Sequence, residues 1–286
     1  MKKLFALLLC WCCLLSLAQA EPLPPYEHEF LGETVAQYAS DTLQYTIEQF
    51  SYESSFGYVT KLWMADPGRQ IRKSTAVWET SLAMPADMAM QVEGAVLAIN
   101  GSGYVSPSFP EIPDNYPGTS KDYYFTPLGS LTITDGEVFR SLDGVPYYGL
   151  TLQKDGLHMH VGEDIEAIMP HEPSQTWSFY ERCPMIRDHQ SILDTEWRFA
   201  NNRAIRTIIA KMDDNNYIIL TVTHKGSGLS LIDCVKFLTE YFDPVWAYDL
   251  DGGPSSALMY REKGAEEMTI VYGGKRQDAD MMVFID

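Results

Sequence analysis

The sequence predicts an α+β fold, a single domain that is mostly mixed β-sheet with a few helices. Three observations support this class. Short segments of alternating apolar and polar residues recur along the chain, which is typical of half-buried strands. Asp-Gly pairs at 135–136 and 155–156 separate such segments, as they do in β-hairpins. Residues 230–242 show one long helical pattern that begins with a Ser-x-x-Asp capping sequence.

The predicted elements can be placed along the chain by their flanking residues. Pro85 favours a first helical turn, and the run AVLAIN at 95–100 is too short for a helix and suits a strand buried on both faces. Residues 102–127 hold five of the 16 prolines, so we expect a long loop or lid there. In order, we expect strands at 43–50 and 57–65, a helix at 85–92, strands at 95–100, 128–134, 137–140, 148–153, 157–161, 204–211 and 217–224, a helix at 230–242, and strands at 245–250 and 281–285.

Composition limits the class of protein and its partners. The chain has 286 residues, of which 45% are hydrophobic and 21% charged, as in ordinary globular proteins. Its net charge of -18 repels phosphate backbones and anionic lipids, so we expect no nucleic-acid partner. An aromatic content of 12% supplies rings for a core and for a cleft that stacks sugars.

The N-terminus has the pattern of a secretory signal peptide. Two lysines precede a short apolar run that ends at the small-residue triplet Ala18, Gln19 and Ala20. We therefore expect residues 1–20 to be a signal peptide, 21–42 an N-terminal arm and 43–286 the folded domain. No later segment approaches the roughly 20 apolar residues of a membrane-spanning helix, so a secreted or extracytoplasmic protein is predicted.

Two cysteines, Cys183 and Cys234, remain after this cleavage. Export permits a disulfide between them, and the alternative is that Cys234 is a buried thiol within the helix at 230–242. The sequence leaves both alternatives open.

The segment VWAYDLDGGPSSALMY at 245–260 carries the strongest chemical pattern. A buried strand ends in Asp249 and Asp251, and each carboxylate can raise the pKa of the other if they share a face. A turn of small residues follows: Gly252, Gly253, Pro254, Ser255 and Ser256. Its amides could form a concavity that receives an anion, or the segment could be an ordinary turn.

Two other segments place polar groups beside buried strands. Asn100, Gly101 and Tyr104 follow the strand at 95–100, where a turn is the alternative interpretation. Arg206 lies among apolar residues in the strand at 204–211, where a charge is costly unless it is paired or faces a cleft. Arg206 is therefore expected to pair with Asp251, to bind a substrate phosphate, or both.

Four segments together resemble the phosphodiester glycosidase family. They are AINGSGY at 98–104, IRTII at 205–209, GLSLIDCVKFL at 228–238 and DLDGGPSS at 249–256. Their order and spacing agree with the family pattern over roughly residues 43–286. The chain departs from the family pattern at Asp249, Ile205 and Pro254, where Asn, Pro and Gly are usual, and at 223–226, where an Asp-Gly-Arg-like turn is usual.

The resemblance implies a secreted hydrolase that cleaves the anomeric C–O bond of a sugar-1-phosphodiester, with a phosphorylated glycan or a sugar phosphodiester as its substrate. Asp251 is then the catalytic carboxylate, Arg206 the phosphate clamp and His224 an acid or phosphate contact. No obvious second carboxylate motif could act as general acid. The expected substrate-binding residues are Asn100, Gly101, Tyr104, Thr207, Gly252, Gly253, Ser255 and Ser256, with Asn100 and Ser255 as orienting donors. No metal ligand and no cofactor are predicted, and a structural calcium ion stays open.

Two other functions remain open on the sequence. A non-catalytic extracellular carbohydrate-binding or exopolysaccharide-associated protein would use an aromatic cleft of Tyr104, Tyr123 and Tyr124 and would not need Asp251. A metal-dependent phosphodiesterase would need a carboxylate cluster, for which the candidates are Asp213, Asp214, Asp249 and Asp251. Asp213 and Asp214 suit a hairpin turn better, and His158 and His160 alternate on a strand without a third ligand.

Overall fold

The computed structural model of the chain describes residues 31–105 and 124–286. The strands are β1 (Leu31–Ala39), β2 (Leu43–Tyr52), β3 (Ser55–Met64), β4 (Ile71–Thr75), β5 (Ala95–Asn100), β6 (Leu131–Thr134), β7 (Glu137–Ser141), β8 (Tyr147–Gln153), β9 (Gly156–Glu163), β10 (Gln175–Trp177), β11 (Pro184–Arg187), β12 (Gln190–Ser191), β13 (Arg206–Lys211), β14 (Asn216–Gly226), β15 (Trp246–Asp249), β16 (Ala257–Tyr260), β17 (Thr269–Gly273) and β18 (Asp280–Ile285). The α-helices are α1 (Pro67–Gln70), α2 (Pro85–Met90), α3 (Ile165–Ile168), α4 (Arg198–Asn201) and α5 (Leu231–Tyr241).

Two large sheets dominate the described part of the chain. An eight-stranded sheet has the order β1-β2-β3-β14-β13-β15-β11-β12, and a five-stranded sheet has the order β17-β16-β5-β18-β4. Neighbouring strands in both sheets pair antiparallel. Smaller sheets, β10-β8-β9 and β6-β7, complete the architecture. The predicted class, mostly sheet with a few helices, is confirmed.

The two large sheets pack face to face, and a helix covers the outer face of each. Ile209 of the larger sheet and Leu97 of the smaller sheet belong to the core between them. On the outer face of the larger sheet, Ile208 packs with Phe237 of α5. On the outer face of the smaller sheet, Met88 of α2 completes a third cluster. Central strands are thus buried on both faces, which explains why they are continuous apolar runs.

Several predicted elements are confirmed with small changes in their ends. The helix expected at 230–242 is α5, and Ser230 and Asp233 form the capping box at its start. The first hairpin is longer than expected, because its turn consists of Glu53 and Ser54, both with positive φ. All six residues of β5 are buried, as predicted for 95–100.

The structure adds elements that the sequence did not predict. The expected arm at 21–42 contributes an edge strand, because β1 pairs with β2. Strands β4, β10, β11, β12, β16 and β17 and helices α1, α3 and α4 were also missed. The expected signal peptide and much of the expected loop at 102–127 lie outside the described residues. Within the described ranges, no helix is long and apolar enough to span a membrane.

Candidate active site

The segment between β15 and β16, residues 250–256, carries the chain from the larger sheet to the smaller one. We call this segment the sheet crossing. Asn100, at the end of β5, holds it in place with two hydrogen bonds. Its Nδ2 donates to the carbonyl oxygen of Asp251 at 2.6 Å, and its Oδ1 accepts from the backbone N–H of Ala257 at 3.0 Å. Asn100 is 1% exposed, so it positions the crossing through the backbone and is not the ligand-orienting donor that we expected.

Asp251 lies at the start of the sheet crossing with its side chain half-buried. Its Oδ1 accepts from the backbone N–H of Gly252 at 2.9 Å. Burial raises the pKa of Asp251 to about 6, although the Ser255 hydroxyl, Arg276 and the Gly252 N–H all lower it. A carboxyl with this pKa is mostly ionised at neutral pH and can accept a proton in mildly acidic solution, which suits a base or a nucleophile.

Arg276, which the sequence analysis missed, supplies positive charge at this site. Its guanidinium carbon lies 5.2 Å from the centre of the Tyr104 ring. The Tyr104 hydroxyl donates to the carbonyl oxygen of Gln277 at 3.1 Å. Burial raises the pKa of Tyr104 to about 12, while Arg276 lowers it and the charge of Asp251 raises it. Arg276, Tyr104 and Asp251 are thus electrostatic neighbours, and Arg276 is partly exposed.

A second carboxyl, Asp278, lies in the same group, contrary to the sequence expectation. The residue is 2% exposed, and neither side-chain oxygen has a hydrogen-bond partner among the described residues. Burial raises the pKa of Asp278 well above its usual value, and the charge of Asp251 raises it further, whereas Ser255 and Arg276 lower it. Burial of a carboxyl without a hydrogen-bond partner thus disfavours its ionised form.

Asp280 is the next inward-facing acid along the chain, and its carboxylate is fully used by the protein. It forms an ion pair with Lys73 at 3.0 Å, and both side chains are completely buried. It also accepts from the backbone N–H of Ser102 at 2.6 Å and from the Ser102 hydroxyl at 2.9 Å. A Cβ atom on Gly101 would overlap this carboxylate. Gly101, an expected substrate-binding residue, is thus buried and required for packing.

Arg206 does not pair with Asp251, so that prediction is wrong. Its Nη1 lies 3.3 Å from Oδ2 of Asp249, and its Nη2 donates to the carbonyl oxygens of Phe199 and Asn202, each at 3.0 Å. Burial raises the pKa of Asp249 to about 7, although Arg206 lowers it; the charge of Asp251 also raises it, as expected. Arg206 is 7% exposed and makes these internal contacts, so the structure gives no support to its expected role as the phosphate clamp.

The glycine turn does not present the anion-binding amides that the sequence suggested. The N–H of Gly252 donates to the carboxylate of Asp251, and that of Gly253 donates to the carbonyl oxygen of Ile205 at 3.0 Å. The N–H groups of Ser255 and Ser256 donate within the turn to Gly252 and Gly253, each at 3.2 Å. Because every amide of the turn has an acceptor, the turn shapes the sheet crossing. Gly253 needs its freedom there, since its φ is +58°.

The remaining predicted residues fall into two groups. Thr207 is fully buried in β13, so it packs inside the protein and is not placed to bind substrate as we expected. Ser255 and Ser256 are each 1% exposed, and their hydroxyls have no hydrogen-bond partner in the described structure. Of the two, Ser255 lies beside Asp251 and Asp278 and affects the pKa of both.

His224 lies on the exposed end of β14 and contacts Tyr272 of β17. Its Nδ1 is 2.9 Å from the Tyr272 hydroxyl, and its backbone N–H also meets that oxygen at 3.1 Å. These contacts join the larger sheet to the smaller one. No hydrogen bond between His224 and Asp251 occurs in the part of the chain that the structure describes, which leaves its expected catalytic role without support.

An aromatic group flanks the other side of Asp251. Burial raises the pKa of Tyr180 to about 12, and the charge of Asp251 raises it as well. Tyr180 packs on Phe179 with ring centres 4.3 Å apart, and on Phe199 at 6.4 Å with nearly parallel planes. Phe199, which is 40% exposed, offers a surface for stacking. Three tyrosines were expected to form the aromatic cleft. Tyr104 lies at the site, Tyr124 packs with Phe125, and Tyr123 is outside the described residues.

Two other sequence alternatives can be compared with the structure. Cys183 and Cys234 are both buried free thiols, so they do not form the disulfide. Asp213 caps the turn at 212–216 by accepting from the N–H groups of Asn215 and Asn216, which is the hairpin role expected of it. Over residues 31–105 and 124–286, no group of three or more His, Cys, Asp and Glu side chains is arranged to hold a metal ion.

Known structures share this fold. The catalytic domain of zebrafish N-acetylglucosamine-1-phosphodiester alpha-N-acetylglucosaminidase, auto-inhibited by its pro-peptide, has 15% identity and a TM-score of 0.64, covering 89% of this chain and 87% of that one. A hypothetical protein from Synechocystis has 14% identity and a TM-score of 0.54, covering 86% and 63%. At these identities the similarity shows the fold alone.

The sequence itself identifies the family. No curated protein matches it. The profile of the phosphodiester glycosidase family matches residues 93–285, a segment that contains Asn100, the sheet crossing with Asp251, and both Arg276 and Asp278. The match covers well over half of the chain, and the chain therefore belongs to the phosphodiester glycosidase family.

Proposed function

We propose that the protein hydrolyses the anomeric C–O bond of a sugar-1-phosphodiester and releases a free sugar and a phosphate monoester. The observation that carries this proposal is the half-buried Asp251 beside Arg276 at the sheet crossing. Membership of the phosphodiester glycosidase family supports the reaction class. The zebrafish neighbour is named for N-acetylglucosamine-1-phosphodiester, so that sugar is the first to test.

The leaving group explains why one ionised carboxylate suffices. A phosphate monoester spreads its charge over several oxygens, and its second pKa is only about 6, so it departs without strong acid assistance. Asp251 either removes a proton from the water that attacks the anomeric carbon, or attacks that carbon itself to form a glycosyl ester that water then hydrolyses to the free sugar. The C–O bond breaks as the new bond to the anomeric carbon forms, and its electron pair leaves with the phosphate.

Arg276 replaces Arg206 as the phosphate contact in this proposal. It is partly exposed and already lowers the pKa of Asp251, so it lies where a second negative group would be attracted. The requirement for such a local cation is strong, because the net charge of -18 repels an anionic substrate. The exposed ring of Phe199 and the neighbouring Tyr180 provide a surface on which a sugar ring stacks.

We also propose that the protein is exported and that its mature chain begins at Glu21. The support is the apolar run that ends at Ala18, Gln19 and Ala20. The intact mass of the protein recovered outside the cytoplasm should equal that of residues 21–286. Recovery of a chain that retains residues 1–20 would contradict the proposal.

The reaction can be tested with an N-acetylglucosamine-1-phosphate methyl ester. Wild-type protein should release free sugar and methyl phosphate in equal amounts, and the rate should be unchanged in EDTA. Loss of the activity in EDTA would instead favour a metal-dependent phosphodiesterase. Binding without turnover, retained in an Asp251→Asn variant, would favour a carbohydrate-binding protein. Either result would overturn the proposed reaction.

A further inference from the structure

Ser255 and Asp278, near Asp251, contain three buried polar atoms that make no hydrogen bond to the described residues. They are the hydroxyl oxygen of Ser255 and both carboxyl oxygens of Asp278, none of which has a partner among the described residues. Ser255 and Asp278 are 1% and 2% exposed, so water does not reach them. Buried polar atoms without partners are rare in folded proteins, and a concentration of three calls for an explanation.

The other buried aspartates near this group differ from Asp278. Asp280 is paired with Lys73 and accepts twice from Ser102. Asp249 has one oxygen paired with Arg206. Asp278 has neither an ion pair nor a hydrogen bond in the described structure, so an ionised carboxylate at this position would be far more costly than at the other two.

We propose that Asp278 is a positioning residue, a neutral carboxylic acid that turns the Ser255 hydroxyl toward Asp251 and so keeps the single negative charge of the pair on Asp251. This inference rests on the proposed function. The carboxylic acid donates its O–H to Ser255, and Ser255 donates in turn to the Asp251 carboxylate.

The surrounding charges bear on which of the two carboxyls, Asp251 or Asp278, is ionised. The charged groups that face Asp278 are Asp251 on the sheet crossing, and Arg276 and Asp280 on its own segment. The charge of Asp251 raises the pKa of Asp278, whereas the Ser255 hydroxyl lowers the pKa of both carboxyls. Asp251 accepts from the backbone N–H of Gly252 whereas Asp278 has no partner among the described residues, so Asp251 ionises first and its charge then holds the proton on Asp278.

Carboxyl titration by carbon-13 NMR tests this inference without any substrate. The protein is labelled at aspartate, and an Asp278→Asn variant assigns the Asp278 signal. We expect the Asp278 carboxyl to remain protonated at pH 7 while Asp251 ionises near pH 6. A carboxylate at Asp278 at pH 7 would overturn the proposal. These titrations give an answer even if wild-type protein proves inactive on sugar-1-phosphodiesters, an outcome that would overturn the proposed function alone.

Paired variants separate the hydrogen-bonding role of Asp278 from its charge. Asp278→Asn retains a donor of the same size, so the titration of Asp251 and the acidic limb of kcat/KM should stay in place. Asp278→Leu and Ser255→Ala remove the donors, and each should move the acidic limb to higher pH by about one unit.

The opposite pattern would overturn the inference. If Asp278 carried a charge, Asp278→Asn would lower the pKa of Asp251 by removing a nearby negative group. An unchanged Asp251 titration in both Asp278→Leu and Ser255→Ala would show that neither hydrogen bond exists. Asp143→Asn, at an exposed turn residue, is the matched control and should change neither the titrations nor kcat/KM.

Discussion

Asp249 and Asp251 are two residues apart, yet the arginine near each has a different role. The arginine near Asp249 stabilises the fold, and the one near Asp251 is placed to contact a substrate. Nη1 of Arg206 lies 3.3 Å from Oδ2 of the buried Asp249, and its Nη2 donates to the carbonyl oxygens of Phe199 in α4 and Asn202 just after it. Arg276, in contrast, is partly exposed and influences the half-buried Asp251. The first group joins β13, β15 and the loop around α4, whereas the second remains open to a ligand.

The difference shows that a buried cation in an apolar strand is a weak indicator of a substrate contact. A guanidinium that is surrounded by protein needs several acceptors, and here backbone carbonyls provide them. Arg276 differs because it is partly exposed, so a ligand can approach its guanidinium. Variants of the two aspartates and the two arginines should therefore affect different properties of the protein.

Substitution of the two aspartates should give the largest contrast. Asp251→Asn should lower kcat by on the order of 10³-fold or more, because it removes the catalytic carboxylate while keeping the size of the side chain. Asp249→Asn should mainly lower the melting temperature. The rates of free-sugar release and the thermal unfolding curves of both variants check the contrast, and equal losses of turnover would refute it.

Arg206→Ala should act on stability. It removes the partner of a carboxyl that is 1% exposed, so the free energy of unfolding should fall by roughly 3–5 kcal/mol, as for other broken buried ion pairs. Urea unfolding measures this change. A stable Arg206→Ala protein with an increased KM would instead support the phosphate clamp that the sequence suggested.

Arg276→Ala should act on the substrate. Loss of a charge-assisted phosphate contact should lower kcat/KM by about 10²-fold, a loss of 2–3 kcal/mol, with little change in urea unfolding. Arg276→Lys retains the charge but not the planar fork, so it should recover part of the activity. A variant that loses stability and keeps kcat/KM would place Arg276 with Arg206 as a structural residue.

The pH dependence of activity and of stability should run in opposite directions. Below pH 6, kcat/KM should fall about tenfold per unit, since Asp251, whose pKa is raised to about 6, must be ionised to react. Folding raises the pKa of Asp249 to about 7 as well, so the folded state binds protons more tightly than the unfolded chain.

The contribution of these two carboxyls to the free energy of unfolding is therefore complete below pH 4 and is lost as pH rises through 6 and 7. Urea unfolding at pH 5 and pH 8 tests the sign. We expect the difference in stability between the two pH values to shrink in an Asp249→Asn variant. An unchanged difference would show that the raised pKa of Asp249 is absent in solution.

Local patterns were enough to predict the buried strands β5, β13, β14 and β15, the first hairpin and helix α5, because burial on both faces, turn residues and capping each leave a short-range pattern. The edge strand β1 was missed because residues 31–39 gain their strand conformation only by pairing with β2. The clustering of Asp251 with Arg276 and Asp278 was also missed. It depends on the pairing of β5 with β18, which joins segments 180 residues apart, and no local spacing encodes that pairing.

The sequence did find Asp251 and the polar residues around it, because a buried strand that ends in carboxylates and glycines is unusual in composition. It could not assign their hydrogen bonds. Asn100 and the glycine amides suit a ligand by type, but in the folded chain Asn100 binds the backbone of Asp251 and Ala257, and the N–H of Gly252 donates to the Asp251 carboxylate. Arg206 was misassigned for the same reason, since its carbonyl acceptors lie in and just after the short helix α4, which the sequence did not predict.

The position of bond cleavage tests the central claim most directly. The reaction is run in water enriched in oxygen-18 with the N-acetylglucosamine-1-phosphate methyl ester, and both products are analysed by phosphorus NMR and mass spectrometry. Attack at the anomeric carbon, as Asp251 and Arg276 would promote it, places the label in the released sugar. Label in methyl phosphate would mean attack at phosphorus and would contradict the assignment of this site as a glycosidase.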